Sequence, residues 1–281
     1  MAKIIIVGSI AQDDVVHLRE PMREGAHIEG VGRGMRLGGG APNTAMPLAR
    51  AHHRVFVVAA IGRDDAGRRL TTDLEDAGVD ISLVRTLDGA ATTRSIIMVD
   101  ETGERTIVNL ARTAEQEPPV RILKTPADWL YVRSRATDLA PILERKAADC
   151  KIMAHIPPCG DDARPAHVLI GSQSDLPPDI LDNPLGAGRK IGGDLVEWVV
   201  ITRGPKGARA YGDDGEINVR ATKVAPVDST GAGDSFAAGL LHGLASEKPM
   251  NEAMKIAAAW GAESVKWACS GLPAEAMKKL L

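Results

Sequence analysis

The sequence predicts an α/β fold in which a mostly parallel sheet carries helices on both faces. Short apolar runs free of charge recur along the chain, as strands buried on both faces require. Helical stretches separate them, and βαβ alternation of this kind makes neighbouring strands parallel. A third observation adds to the scheme. Between Thr93 and Leu110 the rhythm changes to two alternating strands with a polar turn, which predicts a small β flap on the main sheet.

The first apolar run, Ile4–Ile10, is followed by Asp13 and Asp14. Two acids then stand at the carboxyl edge of a strand, where open α/β sheets bind ligands. Residues 19–37 are polar and glycine-dotted and are expected to be irregular. Gly38-Gly39-Gly40-Ala41-Pro42-Asn43 leads into a helix from Thr44 to about His52, and Val55–Ile61 is a second buried strand. Gly62-Arg63-Asp64-Asp65-Ala66-Gly67 turns into a helix that runs to Asp76, with Gly78 as its stop. The flap pairs Ser95–Val99 with Arg105–Val108 across Asp100-Glu101-Thr102-Gly103. Strands are expected at Trp129–Val132, Lys151–Ile156, Val168–Ile170 and Glu197–Thr202, and a helix at Ala140–Ala148. Residues 157–166 and 172–193, rich in Pro, Gly and Asp, read as loops with at most short helices. Asn251–Lys266 is helical by pattern, and Ala274–Leu281 closes the chain.

Composition narrows the class of function. The 281 residues suffice for one large domain or two ordinary ones, and 44% hydrophobic with 25% charged residues is a globular balance. Aromatics are 3%, so Val, Ile, Leu, Ala and Met must build the core. A net charge of −3 argues against a general nucleic-acid or anionic-membrane binder. Cys150, Cys159 and Cys269 form no paired motif, which fits a reducing cytosol and gives no zinc site. The run Ile4–Val7 is too brief for a signal peptide or a membrane span. A soluble, cytoplasmic protein with a small-molecule partner is the expectation.

The chemistry concentrates at Asp228-Ser229-Thr230-Gly231-Ala232-Gly233-Asp234, which opens into a helix with Phe236, Ala237, Leu240, Leu241 and Leu244 on its apolar face. A helix start leaves backbone N–H groups unpartnered at an electropositive end. Gly231, Ala232 and Gly233 have almost no bulk, so an anion can reach those amides. Asp234 sets a carboxylate beside that place. Anion and base together suit phosphoryl transfer to a hydroxyl; an ordinary helix cap is the plainer reading of the same residues. No Walker loop is present, and Gly186-Ala187-Gly188 lacks the context of a dinucleotide fingerprint.

Taken together, these motifs resemble the ribokinase/PfkB carbohydrate kinase family over nearly the whole chain. Gly8–Asp13 resembles its first strand with a substrate-binding aspartate, and Gly38–Asn43 its N-terminal glycine motif. Gly62–Gly67 and Gly103-Glu104-Arg105-Thr106 match connecting pieces. Thr202-Arg203-Gly204-Pro205-Lys206-Gly207-Ala208 resembles the nucleotide-binding turn, and Asp228–Asp234 the family's most specific motif. The resemblance implies a three-layer α/β/α domain over residues 1–281, with lid segments at about 12–37 and 90–112. It implies an ATP- and Mg2+-dependent kinase that phosphorylates a primary hydroxyl of a sugar or sugar derivative of the ribose, fructose or keto-sugar type. Asp234 is then the general base, with Gly231, Ala232 and Gly233 as the anion hole. Asp13, Gly38, Gly39 and Asn43 hold the sugar; Thr202, Gly204 and Gly207 line the ATP side, with Gly271 near the adenine.

Departures from the pattern matter too. Ser172-Gln173-Ser174-Asp175 stands where many relatives carry Asn-x-x-Glu near magnesium, which leaves Asp175 as the metal candidate. Asp228, with Thr230 and Ser270, marks a candidate K+ site. Arg133, just past the strand 129–132, suits an acidic or phosphorylated substrate end, with Asn109 assisting. Pairing with a nearby acid is the simpler role for that arginine. A homodimer through the lid is expected of the family. The rivals are a nucleoside kinase on the same scaffold, which would want aromatic stacking, and a non-catalytic sugar- or nucleotide-binding relative.

Overall fold

The computed structural model describes residues 1–101, 105–115, 119–157 and 162–281. The expected turn at Asp100–Gly103, the piece Gly103–Thr106 and Cys159 therefore fall partly or wholly outside the described residues. In chain order the strands are β1 (Lys3–Val7), β2 (Ala11–Leu18), β3 (Gly30–Gly38), β4 (Arg54–Gly62), β5 (Val84–Leu87), β6 (Thr93–Val99) and β7 (Arg105–Ala111). They continue with β8 (Trp129–Val132), β9 (Lys151–His155), β10 (Val168–Ser172), β11 (Trp198–Thr202), β12 (Ala208–Gly212) and β13 (Gly215–Val219). The helices are α1 (Gly40–Arg50), α2 (Asp65–Asp76), α3 (Ala140–Lys146), α4 (Pro178–Asp182), α5 (Pro184–Gly192), α6 (Ala232–Ala245), α7 (Met250–Ser264) and α8 (Ala274–Leu280).

Nine strands form one sheet in the order β13-β12-β11-β10-β9-β8-β1-β4-β5, parallel from β11 through β5, with β12 and β13 antiparallel at one edge. The pleat sorts β1 between two cores. Ile4 and Ile6 pack with α1, α6, α7 and α8, while Ile5 and Val7 pack with α3, α4 and α5 on the other face. Each such side chain, once buried, contributes about 2 kcal/mol. Helices on both faces of a parallel sheet are what the apolar runs implied.

The second sheet has the order β3-β2-β6-β7, with β2 and β6 parallel and the outer pairs antiparallel. Here two expectations change. The apolar run ends at Val7, and after a break at residues 8–10 the chain enters β2, so Asp13 lies inside a strand of the small sheet. Residues 30–38 are β3 rather than irregular; pairing with β2 supplies the order that their own pattern lacks. The stretch 172–193 holds α4 and α5, and β5 and the β12–β13 hairpin complete the elements that the apolar pattern does not reveal.

Small residues let α6 seat deeply. A Cβ on Gly239 would lie 2.9 Å from the Ala257 Cα, and one on Gly243 2.7 Å from the Ala253 Cα, so α6 and α7 touch nearly backbone to backbone. His242 on α6 hydrogen-bonds His53 (Nε2 to Nδ1, 2.8 Å), whose own Nδ1 accepts the Ala2 N–H. With Nδ1 of His53 accepting, its Nε2 carries the proton and donates to His242. Burial holds both rings below the usual histidine range, His53 at about 4. Because the folded value is depressed, stability is present above pH 6.5 and is lost as pH falls from there towards 4. Unfolding free energies from urea titrations at pH 7.5 and pH 4.5 should differ less in His53→Gln than in the unsubstituted chain, by on the order of 2 kcal/mol; equal pH dependence would refute the assignment.

Candidate active site

The carboxyl ends of β1, β8, β10 and β11 share one edge of the sheet, and Asp234, Arg133, Asn43, Gly231 and Gly271 of the residues singled out in the sequence meet in one cluster. Asp234 stands in the first turn of α6 and is 9% exposed. Its Oδ1 accepts from Arg133 Nε at 2.9 Å and its Oδ2 from Asn43 Nδ2 at 3.0 Å. Burial opposes the charge on Arg133, but Asp234 outweighs it and holds the guanidinium firmly protonated. The arginine that the sequence offered to a substrate anion thus gives its Nε to the candidate base. Only its Nη groups remain for a ligand.

Gly231 is the N-cap of α6 and takes the left-handed conformation, φ 75°. A Cβ there would lie 2.8 Å from the Gly271 N and 3.1 Å from Asn43 Nδ2, so Gly271 and Asn43 form the wall against which the turn closes. Gly271 therefore sits at this turn. The N–H of Ala232 bonds Ser229 O, and the N–H of Ser235 bonds Gly231 O. The amides of Gly233 and Asp234 belong to the first helical turn, whose N–H groups point out of the helix start.

Asp13 is buried, at 5% exposure, on β2. Burial raises its carboxyl to about 6, against the opposing charge of Arg36 and with help from Asp14, Asp234 and Asp228. Gly38 is the residue that makes room for it: a Cβ there would fall 1.8 Å from Asp13 Oδ2. Gly39 caps α1 and lies against Ser9 O. Asn109 is exposed on β7 and accepts a hydrogen bond from Ser95 Oγ (3.3 Å), while Arg133 bonds Asp234 instead. On the other side of the edge, Thr202 ends β11 and donates to Gly171 O, and Gly204 and Gly207 form the tight turn into β12. His155, at the end of β9, is lowered to about 4 by burial and then by Arg133, so it is a neutral neighbour of Asp234 and not a second acid.

The metal candidates differ from one another. Asp175 is exposed after β10, accepts from Ser174 on Oδ1, and its charge is felt at Arg133 and His155. Mg2+ that arrives with nucleotide phosphates needs only one or two carboxylates, so Asp175 fits it. Asp228 does not fit a monovalent cation. Its Oδ1 accepts the Thr230 N–H (2.8 Å) and its Oδ2 the Arg36 Nη1 (2.8 Å), a side-chain pair 1% and 16% exposed. Burial would push Asp228 up, but those partners hold it below the usual range. Thr230 Oγ1 and Ser270 Oγ are buried without partners, and so are Arg36 Nε and Nη2, which are donors. No spacing rule pointed to Arg36. Its only sequence signal is its place two residues before the glycine cluster.

The pfkB family carbohydrate kinase model matches residues 1–155 and 174–275. An ATP-dependent ribose-1-phosphate kinase of Halopiger xanaduensis is 28% identical over 278 residues, covering 93% of this chain and 91% of that protein. The ribokinase of Schizosaccharomyces pombe is 26% identical over 97% of this chain and 95% of its own length. Among solved structures, a Thermotoga maritima ribokinase superposes with TM-score 0.79 at 21% identity, covering 100% of this chain and 99% of that one. A Methanocaldococcus jannaschii nucleoside kinase gives 0.76 at 18%, with 99% of both chains covered. The family match and these relatives make the chain an ATP-dependent phosphotransferase acting on a carbohydrate. The chain belongs to the pfkB family of carbohydrate kinases. Among the described residues, no helix is long and apolar enough to cross a membrane.

If Asp13 holds the sugar, Gly38→Ala, which forces Asp13 off its place, should raise the KM for the sugar by about tenfold or more while leaving the KM for ATP unchanged. Steady-state kinetics with both substrates varied would check this, and equal effects on both constants would refute it. The sugar KM should also rise as pH falls below about 6, where Asp13 takes up a proton, and Asp13→Asn should remove that dependence.

Proposed function

We propose that the chain transfers the γ-phosphoryl group of ATP to a primary hydroxyl of a sugar or sugar derivative, with Asp234 as general base. The observation that carries this reading is the Asp234 carboxylate, buried at the start of α6 beside the glycine turn and held by Asn43 and Arg133. Those two bonds leave lone pairs on both carboxylate oxygens. A hydroxyl bonded there loses its proton to Asp234 as its oxygen attacks phosphorus, and the bond to the ADP oxygen breaks. The turn amides at Gly231 and Gly233 would take up charge on the transferring group, the Ala232 N–H of the expected anion hole being held by Ser229 O, and in phosphoryl transfer such positioning and charge stabilisation supply most of the rate. Asp13 would accept from sugar hydroxyls, while Thr202, Gly204 and Gly207 line the side towards ATP. Asp175 would hold Mg2+ on the phosphates, which when bound neutralises their charge.

The small sheet would act as the lid. It bears exposed apolar residues on both faces, Val31 and Ile107 on one and Met35, Val108 and Leu110 on the other, which support a homodimer through the small sheet. For the acceptor, the Arg133 Nη groups support an acidic or phosphorylated end, and a ribose-1-phosphate kinase stands among the relatives. A nucleoside acceptor has less support. Phe56, Phe236 and Tyr131 are all buried in the two cores and offer no stacking face.

ADP release measured with magnesium-ATP against ribose, fructose, ketodeoxygluconate, adenosine and ribose 1-phosphate is expected to identify an acceptor. Asp234→Asn should lower its kcat by about 10³-fold in a protein that still folds. A folded Asp234→Asn with full activity would overturn the role of the base. For an anionic acceptor, Arg133→Met should raise KM by about tenfold or more; for neutral sugars it should act on kcat alone.

A further inference from the structure

Arg36 and Asp228 form a buried ion pair far from each other in sequence, and its location says more than its existence. A buried pair is weak support for stability as such, since desolvation offsets most of the attraction. This one joins two parts of the site. Arg36 lies on β3 directly across from Asp13 on β2, and its charge is the chief influence opposing the neutralisation of Asp13. Its Nη1 reaches Asp228 Oδ2 at 2.8 Å. Asp228 in turn fixes the start of the glycine turn by accepting the Thr230 N–H, one residue before Gly231. Cys269, on the segment that leads to Gly271, lies within reach of the charges of both Arg36 and Asp228. The guanidinium thus sits in the wall formed by residues 228–231 and 269–271.

We infer that Arg36 is the resident cation of this turn, supplied by the chain itself, and that the enzyme turns over without a monovalent metal ion. A K+ ion wants several oxygens and a carboxylate whose charge no other cation already meets. Here one carboxylate oxygen serves a backbone amide and the other a guanidinium. The remaining unpartnered groups around Asp228 include two N–H donors, Arg36 Nε and Nη2, which would point positive hydrogens at any cation beside them. Arginine stays charged at every working pH, so the turn keeps its positive neighbour without a loosely bound ion. Arg36 acts on the reaction through Asp228 and the turn, and is a positioning residue. The inference rests on reading residues 231–233 as the anion hole.

The test uses the full-length chain in buffer whose only monovalent cation is tetramethylammonium, with and without potassium at constant ionic strength. The unsubstituted enzyme should change kcat by less than about twofold on adding potassium. Arg36→Ala should lose about 100-fold in kcat, with a smaller effect on KM for ATP, and potassium should restore at least about tenfold by entering the space beside Asp228. Arg36→Lys should keep most of the rate and remain indifferent to potassium. Melting temperatures give an arm that needs no sugar: potassium should raise that of Arg36→Ala and leave the unsubstituted chain unchanged. If no acceptor is found, this arm alone decides the inference, separately from the kinase reading. Should Arg36→Ala fail to fold, Arg36→Lys and the unsubstituted chain decide it. Potassium activation or potassium-specific stabilisation of the unsubstituted chain would overturn the inference. So would full activity of Arg36→Ala in tetramethylammonium, or a folded Arg36→Lys as slow as Arg36→Ala.

Discussion

The Asp234 carboxylate is gripped from two sides, by Asn43 Nδ2 and Arg133 Nε, and three separate pieces of chain must meet for that to happen. Asn43 comes from α1, Arg133 from the end of β8 and Asp234 from α6. A carboxylate this buried without partners would be strongly disfavoured, so the fold and the grip stand together. Space is part of the grip: a Cβ on Gly40 would lie 2.5 Å from Arg133 Cγ. The parallel sheet sets β8 beside β1, and the close approach of α6 to α7 through Gly239 and Gly243 sets the depth of the helix start. Core packing and the aim of the base are one problem.

The small sheet is tied to the glycine turn at two points, Arg36 on Asp228 and Arg105 Nη1 on Ser229 Oγ (3.1 Å). Strand β3 thereby touches both Asp13 and the glycine turn. Its Arg36 faces Asp13 on one side and the turn on the other, and Gly38 at its end leaves room for the Asp13 carboxylate. Asp13, Asp228, Asp234 and Asp175 stand at this edge with Arg36 and Arg133 among them, so the two signs of charge are interleaved through the site.

Much of the architecture is legible in the chain. The strand at Trp129–Val132 has the expected bounds, and β4, α2 and the β6–β7 pair fall within a few residues of theirs. These elements are apolar runs or repeats of period 3.6 that any burial would organise. The strands that escaped are of another kind. β3 reads Gly-Val-Gly-Arg-Gly-Met-Arg-Leu-Gly, with exposed side chains over most of its length, and exists because β2 offers it a backbone partner. β12 and β13 close an edge of the sheet in the same way.

By itself the sequence determined which local pieces form and which residues have the chemistry for the site: a glycine turn opening a helix, the acid after it, an acid past the first strand and an amide after the first glycine cluster. Local steric freedom and side-chain type belong to the residue, so they can be read one position at a time. Only the tertiary structure decided the pairings. That Arg133 faces Asp234 across 101 positions, and that Arg36 reaches Asp228 across 192, depends on strand register and helix depth. Those are properties of packing between distant segments, and no spacing along the chain encodes them.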